Sequence, residues 1–272
     1  MMKKRIVIKL GGSTLDNPST LSQLAGLVRG YQKRQYQVVL VHGGGPAVNA
    51  ELTRRQITWS FIEGQRQTTP EMMAIIEDVL GRQVNGALVQ SLVNAGLKAR
   101  GHSGTEDLLW CRQASPELMR VGQVEFVNQT VLERWLCGEG APVPVIAPVG
   151  LGLDLQTFNI NADWAAAKIA IALKAETLIF LTDQEGILDQ HRRLVVRASP
   201  FALNHWIASG VIHGGMLVKT KAMIEALQSG VEQVRVLNAA TASQLLTDKK
   251  IGTLLTTQKV PVKKGAVHEY AS

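Results

Sequence analysis

The chain has 272 residues, of which 46% are hydrophobic and 19% charged, and its formal net charge is +7. This composition is typical of a folded globular protein, and the lack of any apolar run of about 18 residues argues against a membrane span. The positive charge favours anionic partners. Because the basic residues are spread along the chain without a nucleic-acid-binding motif, small anionic molecules are better candidates than nucleic acid.

The cysteines and the beginning of the chain bear on the cellular compartment. Cys111 and Cys137 have no metal-ligand spacing, which predicts free thiols in a reducing cytoplasm. The apolar stretch at 6–10 is too short for a signal peptide. We therefore expect a cytoplasmic protein, with no membrane and no nucleic acid among its partners.

Hydrophobic periodicity predicts strands that alternate with helices along the chain. The predicted strands lie at about 5–10, 38–41, 142–148, 153–158, 177–182, 233–237 and 252–256, with shorter strands between 98 and 127. The predicted helices lie at about 20–34, 46–55, 70–94, 129–136, 163–173 and 214–228. Such alternation is typical of an α/β fold with a mainly parallel sheet.

Glycine-rich or polar segments follow several of these strands. They are Gly11-Gly12, Gly43-Gly-Gly45, Asn159-Ile-Asn-Ala-Asp163 and Asp183. Ligands of open α/β sheets bind beyond the carboxyl ends of the strands, and a glycine turn that opens a helix can hold an anion on its backbone amides. Each glycine turn is also compatible with tight packing alone.

Three charged residues have an ordinary structural explanation when taken singly. Lys9 fits a strand at the sheet edge, Asp163 fits a helix cap, and Lys219 fits a solvated helix face. Together with the two glycine turns, however, they would surround a phosphoryl group with positive charge and N–H donors, as phosphoryl transfer requires. No phosphate loop of the Gly-x-x-x-x-Gly-Lys-Ser/Thr type is present, so a nucleotide would be held differently.

An ordered set of motifs extends from about residue 5 to 257. It comprises Lys9-Leu-Gly-Gly-Ser13, His42-Gly-Gly-Gly-Pro46, Arg66, Asn159-x-Asn-x-Asp163, Thr182-Asp-x-Glu-Gly-Ile-Leu188 and Gly215-Met-x-x-Lys219. On these motifs the chain resembles the amino-acid kinase family, and within it the branch that acts on N-acetyl-L-glutamate. The resemblance implies a three-layer αβα sandwich around a mainly parallel central sheet. It also implies an N-terminal lobe to about residue 175 for the acyl amino acid and dimerisation, a C-terminal lobe at about 176–257 for ATP, and a basic tail at 258–272.

The resemblance implies transfer of the γ-phosphate of ATP, with Mg²⁺ carried mainly by the phosphates, to the side-chain carboxylate of N-acetyl-L-glutamate. The product would be an acyl phosphate of arginine biosynthesis. Lys9 and Lys219 would stabilise the transferring group and Asp163 would orient them. Gly12 and Gly44 would donate N–H groups. The acyl amino acid would be held by Gly44, Gly45, Arg66 and Asn159, and the nucleotide by Asp183, Gly186, Ile187, Gly215 and Met216.

Some segments depart from the family pattern. Gln65 and Gln67 flank Arg66 where the family usually has apolar neighbours, and the segment 101–107 also differs, so a related substrate such as acetylaminoadipate stays open. Only eight residues precede Lys9, which predicts a homodimer without strong arginine inhibition. The segment 247–252 is more similar to arginine-sensitive enzymes and argues the other way.

Two further functions remain as alternatives. A serine esterase could use His42, Gly43, Gly44 and Gly45 as an oxyanion loop and Ser103 as nucleophile, with Asp183 and His213 following in the chain order of a triad. Thr105 stands where a nucleophile elbow has glycine, which weakens that interpretation. A sensor that binds amino acid or nucleotide on the same fold is the second alternative, but two lysines aimed at a transition state would serve no purpose there.

Overall fold

The computed structural model describes residues 4–15, 17–248 and 250–257. Its strands are β1 Arg5–Leu10, β2 Gln37–His42, β3 Phe61–Ile62, β4 Gln65–Arg66, β5 Ala99–Ser103, β6 Leu109–Gln113, β7 Val121–Val127, β8 Val143–Ala147, β9 Val149–Leu151, β10 Thr157–Ile160, β11 Thr177–Thr182, β12 Arg197–Ala198, β13 Gln233–Asn238 and β14 Thr253–Thr256. Its α-helices are α1 Pro18–Lys33, α2 Gly45–Arg54, α3 Pro70–Asp78, α4 Asn85–Asn94, α5 Gln129–Trp135, α6 Ala162–Ala172, α7 Pro200–Ala208 and α8 Gly214–Gln228.

The main sheet has eight strands in the order β12-β14-β13-β11-β1-β2-β8-β5. All neighbouring strands run parallel except β13 and β14, which are antiparallel. β1 lies near the centre, between β11 and β2, and its residues from Ile6 to Leu10 are buried. The prediction of an α/β fold with a mainly parallel sheet is confirmed, and the carboxyl ends of β1, β2 and β11 meet at one edge.

Helices cover both faces of this sheet and give three layers. One face packs against α1, α4 and the 3₁₀ helix Ala239–Leu246, and the other against α5, α6 and α8. Side chains alternate between the faces along β1, so Ile8 and Leu10 lie on the α1 side while Val7 and Lys9 lie on the α6 side. Small, fully buried alanines of α6 at 165–167 let this helix pack close to the strands. The three-layer sandwich is as expected.

A small closed barrel, β10-β7-β6-β9, packs beside the main sheet. The strand expected at 153–158 lies instead at Thr157–Ile160, because Asp154 forms a turn in which its Oδ1 accepts from the Gln156 N–H. Asn159 therefore lies within a barrel strand, not beyond the end of a strand of the main sheet. The short strands expected between 98 and 127 are present as β5, β6 and β7.

The helix expected over 70–94 is continuous, but its middle differs from an α-helix. Thr69 caps α3 by accepting from the Met72 N–H, as the Thr-Pro signal predicts, and Val79–Val84 then forms a π-helical segment before α4. Helix α7 was not predicted. None of the helices in the described part of the chain is both long and apolar enough to cross a membrane.

Candidate active site

Lys9, Asp163 and Lys219 come together at the carboxyl edge of the main sheet. The Nζ atoms of both lysines lie 2.8 Å from Oδ1 of Asp163, and each of the three side chains is about nine-tenths buried. β1, α6 and α8 supply one residue each. Asn161, and not Asp163, caps α6: its Oδ1 accepts from the backbone N–H of Asp163, which leaves the Asp163 carboxylate for the lysines.

The cluster carries one positive charge in excess. Burial raises the pKa of Asp163, but the charges of Lys9 and Lys219 outweigh this and hold the pKa at about 2. Burial lowers the pKa of Lys219 to about 8; Asp163 opposes the shift and Lys9 adds to it. Because two cations share one anion in a buried site, the arrangement favours the charged form of Asp163 but disfavours the charged form of Lys219. A bound anionic group would therefore be stabilised here and would raise the pKa of Lys219.

The two glycine turns lie directly against each other beside this cluster. A Cβ atom added to Gly12 would lie 3.0 Å from the backbone nitrogens of Gly44 and Gly45 and 2.9 Å from Cδ of Pro46. Gly12 and Gly45 each begin a helical segment, so their N–H groups have no acceptor within it. Backbone donors and the N-terminus of α2 thus form an anion-binding surface next to the lysines.

A cavity of about 360 Å³ joins the charge cluster to Arg66. Its lining includes Lys9, Gly12, Gly44, Gly45, Arg66, Asn159 and Asp163. A larger cavity of about 730 Å³ borders the barrel strands β6, β7 and β10, and Lys9, Lys219 and Asp163 do not contribute to it. The residues predicted for catalysis and for the acyl amino acid therefore line one cavity, with the exception of Lys219. This lysine contacts Asp163 but does not line the cavity itself.

Arg66 is held with part of its guanidinium unpaired. Its Nη2 donates to Oδ1 of Asn49 at 2.5 Å, and its Cζ lies 4.9 Å from the centre of the Phe61 ring. Nη1 is buried and has no partner among the described residues. Burial also lowers the pKa of Arg66. A buried N–H without an acceptor is costly, and an anionic ligand in the cavity would satisfy it.

Asn159 and Arg66 are connected through Thr68. The Asn159 Nδ2 donates to the Thr68 hydroxyl at 3.1 Å, and that hydroxyl donates to the carbonyl of Arg66 at 2.9 Å. Of the two unexpected glutamines, Gln67 has a structural explanation, because its Nε2 donates to the carbonyl of Glu117 and ties the β3–β4 hairpin to the loop before β7. Gln65 lines the cavity.

The residues predicted for the nucleotide follow β11 or begin α8, and none of them lines the cavity that holds Lys9, Asp163 and Arg66. Asp183 is exposed directly after β11, Gly215 is exposed in the first turn of α8, and Met216 is partly buried beside it. Gly186 and Ile187 are buried, and the Ile187 N–H donates to the Thr253 hydroxyl. Gly215 and Met216 precede Lys219 by about one turn, so a molecule bound over them would lie next to the charge cluster.

The residues named for a serine esterase do not assemble. Ser103 Oγ accepts hydrogen bonds from the N–H and the hydroxyl of Thr105, and His213 Nδ1 lies 3.3 Å from the carbonyl of Gly210. His42 is fully buried, with its ring nitrogens facing Gly43 and an asparagine of α4. This geometry does not favour the esterase alternative.

Comparison with known proteins decides the family. A sequence profile of the amino acid kinase family matches residues 4–238. The chain belongs to the amino acid kinase family. It is 40% identical over 252 residues to an acetylglutamate kinase of Brevibacillus brevis, covering 90% of this chain and 93% of that protein. It is 41% identical over 239 residues to an acetylglutamate kinase of Chloroflexus aurantiacus, covering 86% and 92%.

Solved structures agree with this family. The crystal structure of smu.665 from Streptococcus mutans UA159 has a TM-score of 0.82 and 28% identity and covers 93% of this chain and 99% of that one. A carbamate kinase from Giardia lamblia bound to AMP-PNP has a TM-score of 0.67 and 18% identity, covering 94% and 99%, and shows the shared fold.

Two residues of the site were not predicted. Asn49 anchors Arg66 from α2, and Phe61 packs its ring against the same guanidinium. They come from separate elements, so no local spacing pattern marks either of them.

Proposed function

We propose that this enzyme transfers the γ-phosphate of ATP to the side-chain carboxylate of N-acetyl-L-glutamate and forms an acyl phosphate. The observation that carries the proposal is the buried cluster of two lysines around Asp163, which opens into a cavity that holds an unpaired guanidinium N–H of Arg66. The relatives named acetylglutamate kinase, at about 40% identity over most of the chain, support the choice of substrate.

In this proposal Arg66 binds the α-carboxylate of the acyl amino acid, because its Nη1 is free while Asn49 holds its Nη2. Asn159, Gly44 and Gly45 complete the site for the acyl amino acid. The attacking side-chain carboxylate is already ionised near neutral pH, so no general base is required. Binding then reduces to placing this carboxylate in line with the phosphoryl group.

Residues at the carboxyl edge of the sheet stabilise the negative charge of the phosphoryl group during transfer. Lys9 and Lys219 neutralise the oxygens of the transferring group, while Asp163 fixes the positions of both ammonium groups. The N–H groups of Gly12 and Gly44 donate to the same oxygens. Lys9 approaches from β1 and Lys219 from α8, so the two charges reach the group from different directions.

ATP would lie over the edge formed by Asp183, Gly186, Ile187, Gly215 and Met216. No side chain meets a Cβ added at Gly215 within 4 Å, so there is open space at the start of α8. Mg²⁺, when bound, would neutralise the phosphates and be carried mainly by them, since Oδ1 of Asp163 already contacts both lysines. We assign the residues to about 175 to the acyl amino acid and those from 176 to 257 to ATP.

A substrate panel tests the proposal. Release of ADP and trapping of the acyl phosphate with hydroxylamine should be seen with acetylglutamate, and less with acetylaminoadipate, glutamate or aspartate. Faster turnover of acetylaminoadipate would reassign the substrate to this longer homologue and would direct attention to Gln65, which lines the cavity. No turnover with any acylated amino dicarboxylate would refute the proposed reaction.

We also propose a cytoplasmic homodimer. In the described part of the chain, β5 pairs with β8 on one side only, which leaves the other edge of the sheet open. Val93 of α4, near this edge, is 46% exposed. An open edge with exposed apolar residues is usually covered in a native protein, and a second copy could cover it. Light scattering at micromolar concentration should give twice the mass of the chain, and a monomer would contradict the proposal.

A further inference from the structure

His42 lies under the second glycine turn, on the face of the sheet away from Lys9. It is the last residue of β2 and pairs in register with Leu10, whose side chain faces α1 and α4. The side chain is fully buried. Its Nδ1 lies 2.9 Å from the carbonyl oxygen of Gly43, and its Nε2 lies 3.1 Å from Nδ2 of Asn85. His42 therefore does not line the cavity, although it is bonded to the turn that does.

The hydrogen-bond partners determine which ring nitrogen of His42 carries the proton. Asn85 Nδ2 also lies 2.9 Å from the carbonyl oxygen of Val145, which can only accept, so this atom is the amide nitrogen. The amide then donates to Nε2 of His42, and Nδ1 carries the proton and donates to Gly43. Burial, with a smaller contribution from the charge of Lys9, lowers the pKa of His42 to about 4, which agrees with a neutral ring.

The orientation of Gly43 determines where Gly44 donates. In a planar trans peptide the carbonyl oxygen and the following N–H point in opposite directions. His42 holds the Gly43 oxygen on the α4 side of the sheet, so the Gly44 N–H points to the other side, where Lys9 and Asp163 lie. Gly44 N has no acceptor among the described residues. The donor is thus oriented before any ligand binds.

The π-helical segment supports the same turn from the other end. Asn85 is the first residue after Val79–Val84, and Leu80 of that segment lies so close that a Cβ on Gly44 would be 2.4 Å from its Cδ2. Asn85 is itself buried between β8 and β5, where a Cβ on Gly101 would lie 2.0 Å from its Oδ1. A side chain at position 44 or 101 would therefore collide with a residue that packs against this hydrogen-bond chain.

We infer that His42 and Asn85 are positioning residues for phosphoryl transfer, which aim the Gly44 N–H at the transferring group through the chain Val145–Asn85–His42–Gly43. The inference rests on the proposed function for the identity of that group. The chain of hydrogen bonds itself follows from the geometry. Because His42 does not touch substrate, its loss should act on turnover more than on binding.

Four proteins test the inference: the unmodified enzyme, His42→Leu, His42→Asn and Asn85→Leu. His42→Leu removes the donor to Gly43, and we expect kcat to fall by about 100-fold with both KM values within about threefold, given the size of losses when an oriented donor is removed. Asparagine places an amide N–H near the position of Nδ1, so His42→Asn should retain at least about tenfold more turnover than His42→Leu. Rates are normalised to the folded fraction from thermal melts. Equal turnover of the two variants would overturn the inference.

A spectroscopic readout requires no substitution. Long-range ¹H–¹⁵N correlation on histidine-labelled enzyme near neutral pH should show His42 with a protonated Nδ1 and an unprotonated Nε2. Asn85→Leu should shift the Nε2 resonance, because the amide that donates to it is lost, while Nδ1 keeps its proton through the bond to Gly43. A protonated Nε2 in the unmodified enzyme would refute the hydrogen-bond chain even if a variant fails to fold. The two failures are distinguishable: a wrong substrate gives no turnover in the unmodified enzyme, whereas a wrong positioning role leaves full turnover in His42→Leu.

Discussion

The pH dependence of turnover should report the protonation of Lys219. Burial lowers the pKa of this lysine to about 8 in the free enzyme, against the attraction of Asp163. Because the ammonium must be charged to stabilise the phosphoryl group, kcat/KM for ATP should fall as pH rises through about 8. One unit above that pKa only about one-eleventh of the enzyme keeps the proton, so we expect a loss of about tenfold near pH 9.

Lys219→Arg is the decisive perturbation. Arginine stays protonated throughout this range, so the descending limb should disappear, although the plateau should drop because a planar guanidinium does not reproduce the ammonium contact with Asp163. The limb in kcat should also lie at higher pH than the limb in kcat/KM, since bound phosphates raise the pKa of Lys219. Lys168→Arg is a matched control, because Lys168 pairs with Glu225 outside the cluster.

The assay is steady-state ADP release, coupled through pyruvate kinase and lactate dehydrogenase in excess at each pH. Hydroxamate formation at the extremes checks that the coupling enzymes do not limit the rate. A descending limb of the same position and depth in Lys219→Arg would refute the assignment of this pKa to Lys219. A limb that moves in the Lys168→Arg control would refute it equally.

Three further substitutions test other parts of the site. Arg66→Lys should raise KM for the acyl amino acid by about 100-fold and leave KM for ATP nearly unchanged, because a single ammonium group cannot hold Asn49 and the α-carboxylate in the fixed geometry of the guanidinium; the exposed Arg54→Lys is the kinetic control. Asp163→Asn should lower the free energy of unfolding by about 3 kcal/mol in urea titrations, since two buried ammonium groups lose their counter-charge, and an unchanged midpoint would contradict this. Gly12→Ala should abolish most turnover while the fold is retained, because its Cβ would lie 3.0 Å from two backbone nitrogens of the second glycine turn, whereas Gly81→Ala meets open space and should be silent.

The central strands were predictable because a strand that is buried on both faces consists almost entirely of apolar residues. β1, β2 and β11 are short apolar runs, and parallel strands place their carboxyl ends at one edge. This alone brings Lys9 and the glycine turns together. The sequence also contained an unused signal for α7, since Ser199 caps it by accepting from the Ala202 N–H and Pro200 occupies its first position.

Other features depend on contacts between distant segments. The barrel closes through the parallel pairing of Asn159 with Val121. The strand β10 has only four residues, so its hydrophobic pattern is too short to predict this register. The hydrogen-bond partner of Arg66 could not be predicted either, because Asn49 precedes it by 17 positions and lies on a separate helix. His42 was predictable only as part of a glycine-rich motif, since its bonding to Gly43 and Asn85 depends on the packing of α4 against the sheet.

The π-helical segment has a consequence for which changes of length the chain tolerates. A π turn contains more residues than an α turn, so Val79–Val84 takes up an extra residue between α3 and α4. Deleting one residue at 81–83 should therefore give a regular α-helix in which Leu88 and Leu92 still face the sheet. Deleting one residue from α8, which contains no such segment, would instead rotate every later position of that helix by about 100°. We expect thermal melts to show a smaller loss of stability for the deletion at 81–83 than for one at 221–223.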